Sequence, residues 1–437
     1  EEREFPCSYD KLSFRNCHHF TADAFGTIVS WLPLIDSIDF RGSKGLNDQH
    51  LFHLAKGCQT IGKMRKETRK VGSGQVGRHA LHLQSLSLSE VEKITSLGSM
   101  SLLLLKNLTK LSLPSSFPPD ALLSLSNLSS LQILDLSKNN NVNDHILSNL
   151  AENCHQVKHI SVRMCKSLTE KGLSSLKAMK SLQTIAADDC PGVTDKFMKR
   201  LKDWTNITNV SFCNTPHLSS AGLQVFLKAK GDSLKELCIA NSTVDSDFIA
   251  AFTKAATNIT VLDLRGCHGL KNELPMHASA PLLPSSSLML SLALPTSSLS
   301  FLDVSETPIS DSDLMIFVKN NGSLSTLKLR SCPNLTPLGI KEAFTNVTRF
   351  VYELNIAENS YICDEAMKEI LFKKNNSHKS SALPLLPGLV HLDISWTSVT
   401  KECLGFVHES QPELKIIENT PKGGGDHWSL DIEERKE

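Results

Sequence analysis

Apolar and polar positions recur along this chain in one nine-residue frame: aliphatic, two variable, aliphatic, one variable, aliphatic, two variable, small. The copies at 131–139 (LQILDLSKN), 157–165 (VKHISVRMC), 234–242 (LKELCIANS), 259–267 (ITVLDLRGC), 324–332 (LSTLKLRSC) and 389–397 (LVHLDISWT) show it most clearly. The alternation at its centre is that of a short strand with one buried face. Marking the middle aliphatic gives Leu12, Ile38, Leu86, Leu111, Leu134, Ile160, Ile185, Val210, Leu237, Leu262, Leu302, Leu327, Leu354, Leu392 and Ile417, most of them 23 to 27 residues apart. A fixed period of that length predicts a solenoid, in which no unit buries its own apolar side and neighbours must stack.

Each frame is followed by a helix start. Thr336 is placed to cap and Pro337 stands where a helix tolerates proline best; Thr169, Thr194 and Ser310 occupy the same place in their repeats. Apolar spacing at Leu223, Phe226 and Leu227, and at Phe248, Ala251 and Phe252, continues the helical pattern. The predicted fold is therefore α/β: strand, turn and outer helix per repeat, with the strands side by side in a parallel, concave sheet. About 15 repeats are expected over residues 1–420, interrupted by insertions at 59–80, 268–298 and 373–388, and residues 421–437 read as a disordered tail.

Composition narrows the functions open to such a chain. Lys plus Arg and Asp plus Glu each number 46, so no global field steers it toward nucleic acid or a membrane. Leu288 to Leu294, the longest apolar run, is too short to span a bilayer. The first residue is Glu rather than Met, and residues 9–17 already read as a complete strand frame, so the native N-terminus is expected upstream.

Twelve cysteines could suggest a disulfide scaffold, but Cys17, Cys165, Cys190, Cys267 and Cys332 all take the last place of the frame. Asn139, Asn359, Ser43, Ser242, Thr215, Thr307 and Thr397 fill it elsewhere. That column is predicted to turn inward and bond to backbone left unpaired by the turn. Cysteine used as a small buried residue fits a reducing compartment, cytoplasmic and/or nuclear, with every thiol free. Ten Asn-x-Ser/Thr sites, among them Asn107, Asn127 and Asn258, point the other way, although Asn209 falls within a predicted strand.

Segments such as ISVRMCKSLTEKGLSSL (160–176) and LDLRGCHGL (262–270) resemble the cysteine-containing class of leucine-rich repeats. That class occurs chiefly in F-box–LRR proteins, the substrate receptors of Skp–cullin–F-box ubiquitin ligases. The resemblance covers about residues 9–420 and implies a horseshoe that binds a protein, a ubiquitination substrate, and catalyses nothing itself. An F-box is a separate helical module, and only Glu1 to Tyr9 precede the first repeat. Skp–cullin machinery is thus expected as a partner only with an F-box upstream of residue 1. Repeats 81–116 and 207–216 depart from the pattern, with Val91 and Thr215 in the cysteine's place. A ligase-independent scaffold or inhibitor wrapping one protein partner fits the same repeats; a receptor ectodomain is favoured by the glycosylation sites alone.

The variable strand residues point to the concave side. One column there holds Asp39, Asp263, Asp303 and Asp393; a second holds Arg15, Arg41, Arg163, Arg265 and Arg330. Asp39 with Arg41, or Asp263 with Arg265, could pair across rungs as an internal ladder. Alternatively the arginines and aromatics contact a partner. The predicted protein-binding residues are Arg163, Arg265, Phe301, Asp303, Arg330, His391, Asp393 and Trp396, with the centre of the site between Arg265 and Trp396. No catalytic, cofactor or metal site is expected. GSGQVG (72–77) lacks the strand and helix that a nucleotide loop needs. Cys17-His18-His19, Cys154-His155 and Cys267-His268 have no CxxC partner. Residues 59–80 carry Lys63, Arg65, Lys66, Arg69, Lys70 and Arg78 against Glu67, a solvated basic loop or a contact for an acidic partner. The insertions containing APLLP (280–284) and ALPLLP (382–387) read as connectors or as a strap over a bound partner.

Overall fold

A computed structural model describes residues 11–31, 35–67, 83–267, 298–345, 351–373 and 383–418. Two compact units are present, one covering most of the described chain up to Val193 and the other running from Thr208 onward. The first holds strands β1 (Lys11–Ser13), β2 (Ser37–Asp39), β3 (Ser85–Ser87), β4 (Lys110–Ser112), β5 (Ile133–Asp135), β6 (His159–Ser161) and β7 (Thr184–Ala186). The second holds β8 (Asn209–Ser211), β9 (Glu236–Cys238), β10 (Val261–Asp263), β11 (Phe301–Asp303), β12 (Thr326–Lys328), β13 (Glu353–Asn355), a short pair β14 (Phe372–Lys373) and β15 (Leu383–Pro384), then β16 (His391–Asp393) and β17 (Lys415–Ile417).

Within each unit the repeat strands pair in parallel with the middle aliphatics opposite one another: Leu134 meets Ile160, Leu262 meets Leu302, and Leu327 meets Leu354. Identical units laid down in one direction, each returning through its own helix, can pair only in parallel. The last mark is displaced by one residue, because Leu392 pairs with Ile416 and not Ile417. The closing frame runs Leu414-Lys415-Ile416 against Leu389-Val390-His391-Leu392, one residue short.

The strands are brief because the chain leaves the sheet through a left-handed residue at the eighth frame position. Lys138, Met164, Asn241, Ser331 and Trp396 lie there at φ 64, 57, 55, 51 and 61, and Gly266 at 65. Glycine alone enters that region without Cβ crowding, so most repeats store roughly 1–2 kcal/mol of strain that stacking must outweigh. The stack is tight: Leu134, Leu262 and Leu327 are fully buried.

Most ninth positions of the frame bond as their chemistry requires, with the buried Ser242 hydroxyl an exception. Cys165, Cys190, Cys267 and Cys332 donate from Sγ to the carbonyls of Leu136, Val162, Ile239 and Val304, each the last aliphatic of the preceding repeat. Thr215, Thr307 and Thr397 instead bond within their own repeat, to Phe212, Val304 and Ile394. Asn359 has two amide hydrogens and does both, reaching Leu329 and Ile356. None of the eleven described cysteines is in a disulfide. Burial pushes Cys165, Cys190, Cys267 and Cys332 from an ordinary 9.0 up to about 12. A thiol raised on folding keeps its proton in the native state while the unfolded chain ionises, so stability is fully present below about pH 9 and is lost as pH rises toward 12. Denaturant melts should therefore show a midpoint falling steeply above pH 9, and thiol titration after unfolding without reductant should return close to all twelve. An alkaline plateau, or most thiols blocked, would overturn this.

A second tie between repeats runs along the helices. Asp48, Asp144, Asp195, Asp311 and Asp364 stand at or near the start of their helices. Each accepts two hydrogen bonds, from backbone N and side-chain hydroxyl, given by Thr95, Thr169, Ser219, Thr336 and Thr400 of the following repeat. These bonds hold the Asp364 carboxyl below the usual carboxylate range. Each donor is also a helix cap: Thr169 accepts from Lys171 N and Thr336 from Gly339 N. Glycine stands three residues after four of the donors because the neighbour's aspartate occupies the space of a Cβ. At Gly98, Gly172, Gly222 and Gly339 that Cβ would lie 2.0 to 2.2 Å from the aspartate's Oδ1.

Two of the expected insertions are partly ordered structure. Helix α1 runs Ala22–Trp31 and α2 runs Asp48–Glu67, so the basic stretch begins as helix rather than loop. Its charge-rich sequence hid the helical period. Near 373–388, β14 and β15 pair antiparallel, and Leu385 and Leu386 are buried, which anchors this connector in the second unit. Residues 68–82, 268–297, 374–382 and 419–437 lie outside the described residues, and with them the GSGQVG segment, the APLLP copy and the expected tail.

Candidate open-face binding site

A three-residue strand turns its first and third side chains away from the helices. On the second unit this open face carries Glu236, Val261, Phe301, Thr326, Glu353 and His391 in one row, and Cys238, Asp263, Asp303, Lys328, Asn355 and Asp393 in the next. Of the expected contact residues, Phe301, Asp303, His391 and Asp393 stand in these two rows, whereas Arg265, Arg330 and Trp396 follow their strands in the turns. Arg163 belongs to the first unit.

The second row has a local duty. The Oδ1 atoms of Asp39, Asp263, Asp303, Asn355 and Asp393 accept from the backbone N–H two residues on, at Arg41, Arg265, Ser305, Ala357 and Ser395. This Asx bond closes the strand end and explains why Asp and Asn recur there. Asp303 is only 2% exposed and Asp263 only 5%. Asp393 also accepts from Asn355 Nδ2 at 2.8 Å. These carboxylates shape the turn beneath the surface.

The cations are tied as well. Arg330 Nη2 lies 2.8 Å from Glu358 Oε1, and Arg163 Nε 2.8 Å from Asp188 Oδ2. Asp39 takes its ion pair from Arg15, while Arg41 gives it a backbone bond. Burial alone would lower the Arg265 guanidinium, but Asp263, Asp303, Cys213 and Glu306 outweigh it and raise it. Lys328, 4% exposed, shows the opposite balance. Burial lowers its ammonium, against the pull of Glu353, whose Oε1 is 3.7 Å away, and of Asp303 and Asp263. The arginine column is thus an internal charge ladder in the first instance.

Aromatic side chains on and beside this face also reach solvent. Phe301 is half-buried, with Lys328 Nζ 5.4 Å from its ring centre. His391 is half-buried, its Nε2 3.2 Å from the Tyr352 hydroxyl and its ring 5.1 Å from the tyrosine ring. Tyr352 is 46% exposed and Trp396 52% exposed. Tyr352 escapes a reading of the face columns because it precedes the strand; its signal was rarity, one of three tyrosines in the chain.

Several glycosylation-type asparagines are engaged in the stack. The Nδ2 atoms of Asn206, Asn258 and Asn334 donate to carbonyls of Lys180, Asp232 and Pro308 in the preceding repeat, and Asn321 is 2% exposed. Among the described residues no helix is long and apolar enough to cross a membrane.

The sequence matches no protein-family model and no curated protein. Among solved structures it is similar to a chain of the yeast Rad7 and Elc1 complex, at 15% identity over 91% of this chain and 92% of that one, with a TM-score of 0.52. It also matches an LRR protein of Leptospira interrogans (13% identity, 93% and 89% covered, TM-score 0.42) and a chain of the TLR13–ssRNA13 complex (15%, 94% and 54%, 0.47). Repeat register, strand–turn–helix order and the Rad7–Elc1 likeness together establish the fold, an α/β leucine-rich-repeat solenoid.

Proposed function

We propose that this chain is a non-catalytic, protein-binding module whose contact face is the open sheet face between Arg265 and Trp396. The observation that carries this reading is Trp396, a bulky aromatic held at φ 61 and 52% exposed, on the same rung as His391 and next to that of Tyr352. A left-handed tryptophan in solvent gives folding little, whereas an exposed aromatic flanked by tied charges is a typical interface anchor. The cysteine-repeat resemblance supports a finer reading: the partner is a substrate presented to a Skp–cullin–F-box-type ligase, in the cytoplasm or nucleus. Buried free thiols support the reducing location.

The test is affinity purification with mass spectrometry, comparing the natural chain with a Trp396→Asn, Tyr352→Ala variant. Asn accepts the left-handed backbone, so the melting midpoint should hold or rise while the partner is lost about tenfold or more. Equal capture by both chains would remove the site from this face. Arg265→Glu with Arg330→Glu is a poorer probe, since it sets new carboxylates against Glu358 and Glu306. The ligase reading further requires the captured protein to be ubiquitinated less and to live longer when this chain is depleted; an unchanged half-life favours the scaffold or inhibitor.

A further inference from the structure

Helix α3 (Ser96–Leu102) is built inside out. Its buried residues are mostly small, Gly98, Ser99 and Ser101, with Leu102, while Leu97 is 81% exposed and Met100 55% exposed. Leu104, 42% exposed, continues the stripe at helical spacing. Small residues face inward because α3 is pressed onto α2, where the Asp48 carboxylate bonds Thr95 and would lie 2.1 Å from a Gly98 Cβ. Ser99 satisfies its buried hydroxyl on the carbonyls of Thr95 and Ser96. One turn beyond Asp48 on the same side of α2 stands Phe52, 58% exposed. Close packing thus explains the small inner face, but nothing in the fold requires four large apolar side chains outside.

We propose that this stripe, Phe52, Leu97, Met100 and Leu104, docks an acidic amphipathic segment of a partner protein. An exposed contiguous apolar patch marks an interaction surface, and the charges around it choose the occupant. Among the described side chains near it stand exposed Lys56, Lys93 and Lys106 against Glu92 and against Asp48, whose carboxylate is already engaged by Thr95. A second copy pairing symmetrically through this patch would set these cations against their own kind. A segment with two or more large apolar residues and flanking Asp or Glu meets both the stripe and its rim. The surface lies on helices of the first unit and is independent of the open sheet face.

A displayed library of random peptides is panned on the immobilised full chain. The selected peptides should be net negative, with large apolar residues three or four apart. Their Kd should rise about tenfold or more for a Leu97→Ser, Met100→Ser variant. A second variant, Lys93→Glu with Lys106→Glu, should weaken them comparably, and both variants should melt like the natural chain. Neutral or basic selected peptides, or equal binding by all three chains, overturns the proposal. So does sedimentation with phosphatidylserine vesicles that the serine variant loses, which assigns the patch to a membrane. A concentration-dependent dimer lost in that variant assigns it to self-association. None of these outcomes touches the Trp396 experiment.

Discussion

Leu262→Asp is expected to abolish cooperative unfolding of the second unit near its native midpoint. Leu262 is fully buried and stacked in register between Leu237 and Leu302, both equally buried. Aspartate would place an ionised carboxylate in that fully buried aliphatic file, away from water. The chain must then bury a charge, raise its pKa to neutralise it, or pull the rung open, and each costs on the order of 4 kcal/mol or more. Because each repeat contacts only its neighbours, damage should spread from β10 to β9 and β11 first. Hydrogen exchange should show Ile239 and Val304 losing protection before Leu136. Leu262→Met, which conserves volume, should cost less than about 1.5 kcal/mol. A thermal melt unmoved by Leu262→Asp would sink the register described above.

The second large effect concerns the helix-side tie. Gly172→Ala would bring a Cβ to 2.2 Å from Asp144 Oδ1 and 2.9 Å from its Cα, so both carboxylate and backbone must shift. Overpacking of this kind costs about 1–3 kcal/mol. Asp144→Ala removes both bonds from Thr169, at 2.9 and 2.5 Å, and the exposed setting keeps that loss to about 1–2 kcal/mol. The two changes share one site and should not add. With Asp144 already alanine, the Gly172 methyl is relieved of the carboxylate though not of the Cα at 2.9 Å, and the double variant should recover about 1 kcal/mol relative to the sum. Additive costs would show that Gly172 is constrained by something other than its neighbour's carboxylate.

The same pair shows what could be read from residues alone. Asp144, Thr169 and Gly172 are each visible in the sequence, and the cap at Thr169 is legible from local chemistry. Their joint meaning is not, because the tie links residues 25 apart whose proximity exists only after stacking. The cysteine column differed: its place in the frame already required an inward side chain facing unpaired backbone, and the carbonyls of Leu136, Val162, Ile239 and Val304 receive it.

The candidate site divides likewise. Phe301 and His391 could be put on one face from the strand period, since alternation is a local property of extended backbone, whereas Trp396 sits in the left-handed turn beyond its strand. Whether Arg330 is offered to a partner or held by Glu358 depends on the next rung's side chains, and so does the burial of Asp303 and Lys328. Exposure of Leu97 and Met100 was equally hidden, because an apolar period looks the same whether its face turns inward or outward.

By itself, then, the sequence determined the repeat, the parallel order of strands, the inward ninth position and the helix caps, all consequences of short-range geometry repeated at a constant period. Only the tertiary structure decided which charges cancel between rungs, which glycines yield space to a neighbour's aspartate, and which apolar residues stay in water. Those outcomes depend on atoms from separate repeats meeting within a few ångströms, and nothing local to a single frame encodes that meeting.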